Sequence, residues 1–209
     1  MPANIPILMA FGLVAALVPY KNSELPVEQR VEDLLRRMTL EEKIDQVSGA
    51  DPMATRPNAR LGIPALKMSD GPHGLRWDKA TAFPTAVSWG ASWDVDLVER
   101  IGKALGEEAR AKGRNILLGP CINIHRTPLG GRNFESLSED PYLVSRLAVA
   151  YVKGVQSQKI GTSVKHFACN NQEWERGMID VKVDDRALHE IYLPAFRAAV
   201  QRSDRKSVV

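Results

Sequence analysis

Residues 115–166 read NILLGPCINIHRTPLGGRNFESLSEDPYLVSRLAVAYVKGVQSQKIGTSVKH. Residues 115–119 form a short apolar run of strand character, followed by a polar loop from His125 to Glu139. Asp140-Pro141 then supplies an N-cap and a proline at the first helical position, where the missing N–H costs nothing. Leu143, Leu147, Tyr151 and Val155 recur at the spacing of one buried helix face. Residues 161–164 make another strand, which ends on Lys165-His166. Strand, polar loop, helix and strand form the repeating unit of a parallel α/β sheet, because parallel neighbours need a long crossover, usually helical.

The alternation extends in both directions. Val27, Val31, Leu34, Leu35 and Met38 predict a helix over residues 27–38. Thr39-Leu40-Glu41-Glu42 is a capping box that starts a second helix carrying Ile44 and Val47. Residues 49–62, rich in glycine and proline, read as a loop. A strand is expected at 63–68, ending in Ser69-Asp70-Gly71-Pro72-His73-Gly74, and a second short apolar run spans 83–90. Asp94 caps a long helix with Val98, Ile101, Leu105 and Ala109 on one face, closed by Gly113. Asp184 or Asp185 opens a last helix carrying Leu188, Ile191, Ala195 and Ala199, and residues 207–209 are apolar enough to begin a fifth strand. A complete (β/α)8 barrel takes about 250 residues. The expected architecture is therefore α/β: a partial (β/α)8 TIM-type barrel, the first half to two-thirds of one, over residues 21–209. A doubly wound sheet is the other standard solution.

Composition narrows the function. The 209 residues are 44% hydrophobic and 25% charged with net charge +3, which suits a globular domain. That charge is too small and too dispersed to call for a nucleic-acid partner; Arg202, Arg205 and Lys206 read as a solvated helix terminus. Cys121 and Cys169 can make at most one bridge, so the chain is no disulfide scaffold. Residues 5–18 are apolar and uncharged, too short for a span of about 20 residues but long enough for a signal-peptide core. No Lys or Arg precedes them and the cleavage pattern is poor, so residues 1–20 read as a secretion signal or disordered apolar leader, as a buried N-terminal segment, or as the product of a misjudged start codon. A leader implies a periplasmic or secreted protein, its absence a cytoplasmic one.

In α/β folds ligands bind at the carboxyl ends of the strands. Asp70, His73, Arg76 and Trp77 follow one strand; His125, Arg126, Arg132 and Glu135 follow another; Lys165, His166, Asn170, Asn171, Glu173 and Arg176 follow the last. Carboxylates, amides and cations in this mixture suit a neutral, hydroxyl-rich ligand. No Gly-rich phosphate loop, G-x-G-x-x-G or zinc spacing is present, and no cofactor is expected. Each residue also has a plainer role: Asp70-Gly71-Pro72 as a turn, Arg132 with Glu135 as a loop ion pair, Asp140 as a cap, His189 as a structural helix residue, and the cysteines as small buried hydrophobes. Lys165 and His166 at a buried strand end need partners, which nearby carboxylates would supply.

Six stretches in order, LPVEQRVEDLLRRMTLEEKIDQ (25–46), LGIPALKMSDGPHGLRW (61–77), FPTAVSWGASWD (83–94), GPCINIHRTPLGGRNFESLSEDPYL (119–143), KHFACNNQEWER (165–176) and DDRALHEIYLPAF (184–196), resemble the N-terminal barrel of glycoside hydrolase family 3, the β-glucosidase-like enzymes. The resemblance implies that Asp70 takes two hydroxyls of the terminal sugar, that Arg132, Lys165 and His166 donate around the same ring, and that Arg76 and Arg176 are accessory arginines. It implies hydrolysis of terminal β-D-glucosyl residues with retention, on β-linked oligosaccharides or glucosides. β-Xylosidase and β-N-acetylglucosaminidase specificities are alternatives, and so is an inactive sugar-binding fragment. A retaining pair of carboxylates stands about 5–5.5 Å apart. In the family one is an Asp nucleophile on a later barrel strand and the other an acid/base from outside the barrel. The nucleophile's motif is expected beyond Val209, so this chain is expected to carry the sugar-binding part, to need the remaining barrel and a C-terminal domain as partners, and to turn over negligibly by itself. Glu135, Glu139 and Glu173 do not sit in the nucleophile's context.

Overall fold

A computed structural model describes residues 18–76 and 79–203. The apolar run up to Leu17, Trp77, Arg205, Lys206 and the expected fifth strand lie outside the described residues. The chain divides into two compact units, Met1–Ser48 and Gly49–Val209.

The first unit holds a 3-10 turn (Pro19–Lys21), α1 (Val27–Arg37) and α2 (Leu40–Val47). Asp33 ties the turn to the helix, accepting from the Tyr20 amide at 3.2 Å and from Arg37 Nε at 2.9 Å. The capping box forms as the sequence dictates: the Glu42 amide donates to Thr39 Oγ1 and the Thr39 amide to Glu42 Oε2.

The second unit opens with a hairpin, β1 (Gly49–Asp51) and β2 (Ala54–Thr55), where a loop was expected. Asp51 Oδ1 accepts from the Met53 amide at 2.6 Å and turns the chain. Distant pairing fixes the hairpin: the Thr55 amide donates to the Leu66 carbonyl and the Met68 amide to the Met53 carbonyl. The first parallel strand, β3 (Met68–Asp70), begins where the expected strand was to end. Pro64 has no N–H to give a ladder, and residues 58–63 close on themselves through mutual Asn58–Ile63 hydrogen bonds. Asp70 is thus inside the strand, as its last residue. The apolar run at 83–90 is not a strand. It feeds α3 (Ala86–Ser92), which buries Ala86, Trp89 and Gly90 at helical spacing; short apolar runs do not betray their period.

There follow α4 (Val95–Ala111), β4 (Ile116–Leu118), α5 (Pro141–Gln156) and β5 (Gly161–Thr162). Helix α6 (Asp185–Ala187), a π-helical turn (Leu188–Tyr192) and α7 (Leu193–Arg202) end the described chain. The caps are as expected, with Asp94, Asp140 and Asp184 each accepting from amides of the first turn. Strands β3, β4 and β5 are parallel and lie in sequential order. That order is the winding of a (β/α)8 barrel, and it is shared by either half of a doubly wound sheet up to its switch point. Among the described residues three parallel strands replace the four expected.

The crossover helices α4 and α5 pack on each other and against the sheet. Between them lies the core, with Val98, Leu105, Val144, Leu147, Tyr151 and Val155 fully buried, each stabilising the fold by about 1.5–3 kcal/mol. The two helices approach closely because Gly102 and Gly154 face the partner backbone: a Cβ on Gly154 would meet the Glu99 carbonyl oxygen at 2.2 Å. Ladder register aligns Ser69, Leu117 and Thr162, all fully buried. Their neighbours Asp70 and Leu118, one residue further, line a cleft.

Candidate functional site

The strand ends build this cleft. Gly71 follows Asp70 with φ of 115°, and a Cβ there would lie 1.8 Å from the Gly74 carbonyl oxygen, so glycine alone lets the chain fold back. The return brings the Arg76 amide onto the Asp70 carbonyl at 2.9 Å and Arg76 Nη1 to 3.2 Å from Asp70 Oδ2. Past β4 and β5 the parallel pairing continues: the Ile122 amide donates to the Lys165 carbonyl and the Lys165 amide to the Pro120 carbonyl. Lys165 is thereby set across from Asp70, with Nζ 2.7 Å from Oδ1.

Glu135 ends a 3-10 turn (Asn133–Glu135) and is 1% exposed. Its Oε2 accepts from Arg132 Nε at 2.6 Å, and its Oε1 stands 3.3 Å from Lys165 Nζ. Arg132 Nη1 lies 3.8 Å from Glu173 Oε1, while Glu173 Oε2 accepts from Arg176 Nη1 at 3.0 Å. The side chains thus form one alternating row: Arg76, Asp70, Lys165, Glu135, Arg132, Glu173, Arg176. His166 adjoins the row beside Lys165. The six residues to which the resemblance assigns sugar-binding roles are brought together. Asp70, Arg132, Lys165, His166 and Arg176 line an open cleft of ≈ 880 Å³; Arg76 joins through Asp70.

The electrostatics follow from this geometry. Burial pushes the Asp70 carboxyl up, but the hydrogen bond and charge of Lys165, with the Gly71 amide and Arg76, outweigh it and hold the group below its ordinary value. Glu135 is likewise lowered, burial being outweighed by Arg132 and Lys165. His166 falls from 6.5 to about 4, first by burial, then by the Arg132 and Lys165 charges, so its ring is neutral. Two ionised carboxylates, fixed cations and a neutral imidazole give a surface of acceptors and donors suited to hydroxyl groups.

Of the other expected residues, Asn170 and Asn171 also line the cleft. Arg126 donates to the Tyr192 hydroxyl at 3.3 Å, and Asn171 Nδ2 reaches the same oxygen at 2.7 Å. His189 lies in the π-helical turn. Cys121 and Cys169 are free and buried. The Arg132–Glu135 pair is present, yet it is buried and joined to the cleft rather than a loop ornament. Several cleft residues escaped the sequence reading, among them Met53, Phe167, Gln172 and Lys182, as did Asn123, a partner of the cleft residue His166. Met53 lines the wall from the unforeseen hairpin. Asn123 touches His166 twice, and its position just after a strand was the available signal. Among the described residues no His, Cys, Asp and Glu side chains gather as a metal cluster, and no helix is long and apolar enough to cross a membrane.

Residues 28–209 match the Glycosyl hydrolase family 3 N terminal domain. The chain belongs to glycosyl hydrolase family 3. This family 3 chain is 50% identical over 205 residues to a β-glucosidase of Bacteroides ovatus, covering 91% of itself and 27% of that protein. It is 43% identical over 183 residues to an exo-α-(1→6)-L-arabinopyranosidase of Bifidobacterium longum, covering 81% and 24%. The structure of β-glucosidase 3B from Thermotoga neapolitana in complex with α-D-glucose resembles it with TM-score 0.79 at 43% identity, over 83% of this chain and 28% of that one. The chain therefore spans about a quarter of the length of these relatives.

Proposed function

We propose that this family 3 chain forms the part of a β-glucosidase-type hydrolase that binds the terminal non-reducing glucosyl ring, with the nucleophile and acid/base contributed by sequence outside the described residues. The observation that carries this reading is the Asp70–Lys165–Glu135–Arg132 array, of which Asp70, Lys165 and Arg132 line the cleft and Glu135 is buried behind them. Ionised Asp70 accepts two sugar hydroxyls, while Lys165, Arg132 and His166 donate to others. Arg76 and Arg176 hold the carboxylates at the two ends of the row. The names of the relatives favour this reading, and the glucose in the Thermotoga neapolitana structure favours glucose as the ring bound.

Asp70, Glu135 and Glu173 are each engaged by cations, a state suited to holding a ring rather than attacking it. Retaining hydrolysis needs a free carboxylate and an acid about 5–5.5 Å apart across the glycosidic bond.

Titration of the chain with glucose, xylose and N-acetylglucosamine, followed by NMR, tests the assignment. Glucose is expected to saturate a site that Asp70→Ala weakens at least about 100-fold, since each hydrogen bond to a charged group contributes about 1.5–3 kcal/mol. A hybrid in which residues 28–203 replace the matching segment of the Bacteroides ovatus relative should cleave an aryl β-glucoside and lose that activity with Asp70→Ala. A folded hybrid that works as well with alanine at position 70 contradicts the proposal.

A further inference from the structure

His166 is held by one side chain in a way that fixes where its proton sits. Its backbone N–H donates to Asn123 Oδ1 at 3.0 Å, and its ring Nδ1 lies 3.1 Å from Asn123 Nδ2. A backbone N–H can only donate, so the amide atom facing it is the oxygen, and the orientation of the Asn123 side chain follows. The amide NH2 then faces Nδ1, and an NH2 can only donate. Nδ1 is therefore the acceptor nitrogen. The Cys121 thiol approaches the same atom, with Sγ 3.7 Å from Nδ1. Burial raises its pKa and keeps it protonated, and Ser136 Oγ, nearer at 3.1 Å, competes for its one S–H. The Asn123 donor on Nδ1 leaves the ring proton on Nε2. Among the described residues Nε2 has no hydrogen-bond partner, and the ring lines the cleft.

We infer that Asn123 is a positioning residue that locks His166 as the Nε2–H tautomer, so that the imidazole presents a hydrogen-bond donor, not a lone pair, to a hydroxyl of the bound ring. The inference rests on the sugar-binding reading only for the identity of the acceptor. The neutral state it needs is supported by the charges facing His166: Arg132 and Lys165 disfavour protonation, against Glu135 and Glu173, which favour it, and burial tips the balance. The backbone makes the arrangement possible. Asn123 stands two residues past Cys121, whose parallel bridge to Lys165 puts the two segments side by side, so both contacts to His166 come from one short amide.

The test is 15N NMR of the histidine-labelled chain at neutral pH, the signal among its four histidines being assigned by its loss in His166→Gln. In the wild type Nε2 is expected at the proton-bearing position and Nδ1 at the lone-pair position; the reverse overturns the inference. Asn123→Asp replaces the amide donor facing Nδ1 by an acceptor, so the proton should move to Nδ1 or both nitrogens should carry one. Asn123→Ala removes the amide without adding charge, and both nitrogens should then drift towards the averaged positions of a free imidazole. Wild-type positions in both variants overturn the role of Asn123. Glucose affinity should fall about tenfold in Asn123→Asp, the scale of one lost hydrogen bond. If the tautomer follows Asn123 while glucose fails to bind the wild type, the positioning role stands and the sugar-binding reading fails.

Discussion

Replacing Glu135 by glutamine keeps the side chain's shape and removes its charge. The glutamine oxygen can still accept from Arg132 Nε, now 2.6 Å from Glu135 Oε2. The amide NH2 must then face Lys165 Nζ, donor against donor, where Glu135 Oε1 stands at 3.3 Å. The row of seven charges passes from three anions and four cations to two and four. Removing one partner of a buried pair costs about 3–5 kcal/mol. Lys165 keeps Asp70 at 2.7 Å and Arg132 keeps Glu173 at 3.8 Å, so the lower end, about 3 kcal/mol, is expected. At about 2–4 °C per kcal/mol for a protein of this size, Tm should drop by roughly 6–12 °C. Thermal and urea denaturation of wild type, Glu135→Gln, Arg132→Gln and the double variant measure this as a cycle. The double variant should lose clearly less than the sum of the singles, because the second change removes a charge already stranded. A single-variant loss below about 1 kcal/mol, or strict additivity, would refute the account of Glu135 as the shared counter-charge of two cleft cations.

Three further outcomes are expected. Because His166 has a folded value of about 4 against 6.5, the unfolded chain binds a proton below pH 6.5 that the folded chain refuses. Stability should therefore be full above pH 6.5 and fall towards pH 4 by at most roughly 3 kcal/mol, a decline that His166→Gln flattens in denaturant titrations across that range. Asp70 and Glu135, also lowered, add a further loss as pH falls through their folded values. Gly154→Ala drives a methyl group to 2.2 Å from the Glu99 carbonyl oxygen, and the forced separation of α4 and α5 should cost about 1–3 kcal/mol or more; a neutral melting curve would deny the close approach. Tyr151→Phe deletes the buried hydrogen bond to the Pro72 carbonyl at 2.9 Å, for about 1–3 kcal/mol, and hydrogen exchange should rise in the loop after Asp70.

The sequence was most legible where the signal is local. Asp94, Asp140 and Asp184 each cap a helix through an amide two or three residues away, so the cap and the apolar period identify the element together. Asp70 and Lys165 were legible for a different reason: in an α/β fold polar residues at the ends of apolar strands gather at one edge of the sheet, and the parallel pairing brings these two together. Pairings set by distant segments were not legible. The hairpin at 49–55 exists because residues 66–68 supply its partners, and nothing within its own glycine and proline content announces that. Helix α3 hid inside an apolar run too short to show a period. Asn123 follows a strand, but that position does not name its partner, which lies 43 residues away.

The alternation of signs along the cleft wall has a bearing on solvent conditions. Each cation there already has a carboxylate as its neighbour, so little of the field escapes to gather mobile ions. An uncharged guest entering such a wall displaces water and hardly any salt, and its affinity should stay nearly level from dilute buffer to brine. A guest bearing its own carboxylate or phosphate would have to disturb an existing pair to be held, and its affinity would fade as ionic strength rises.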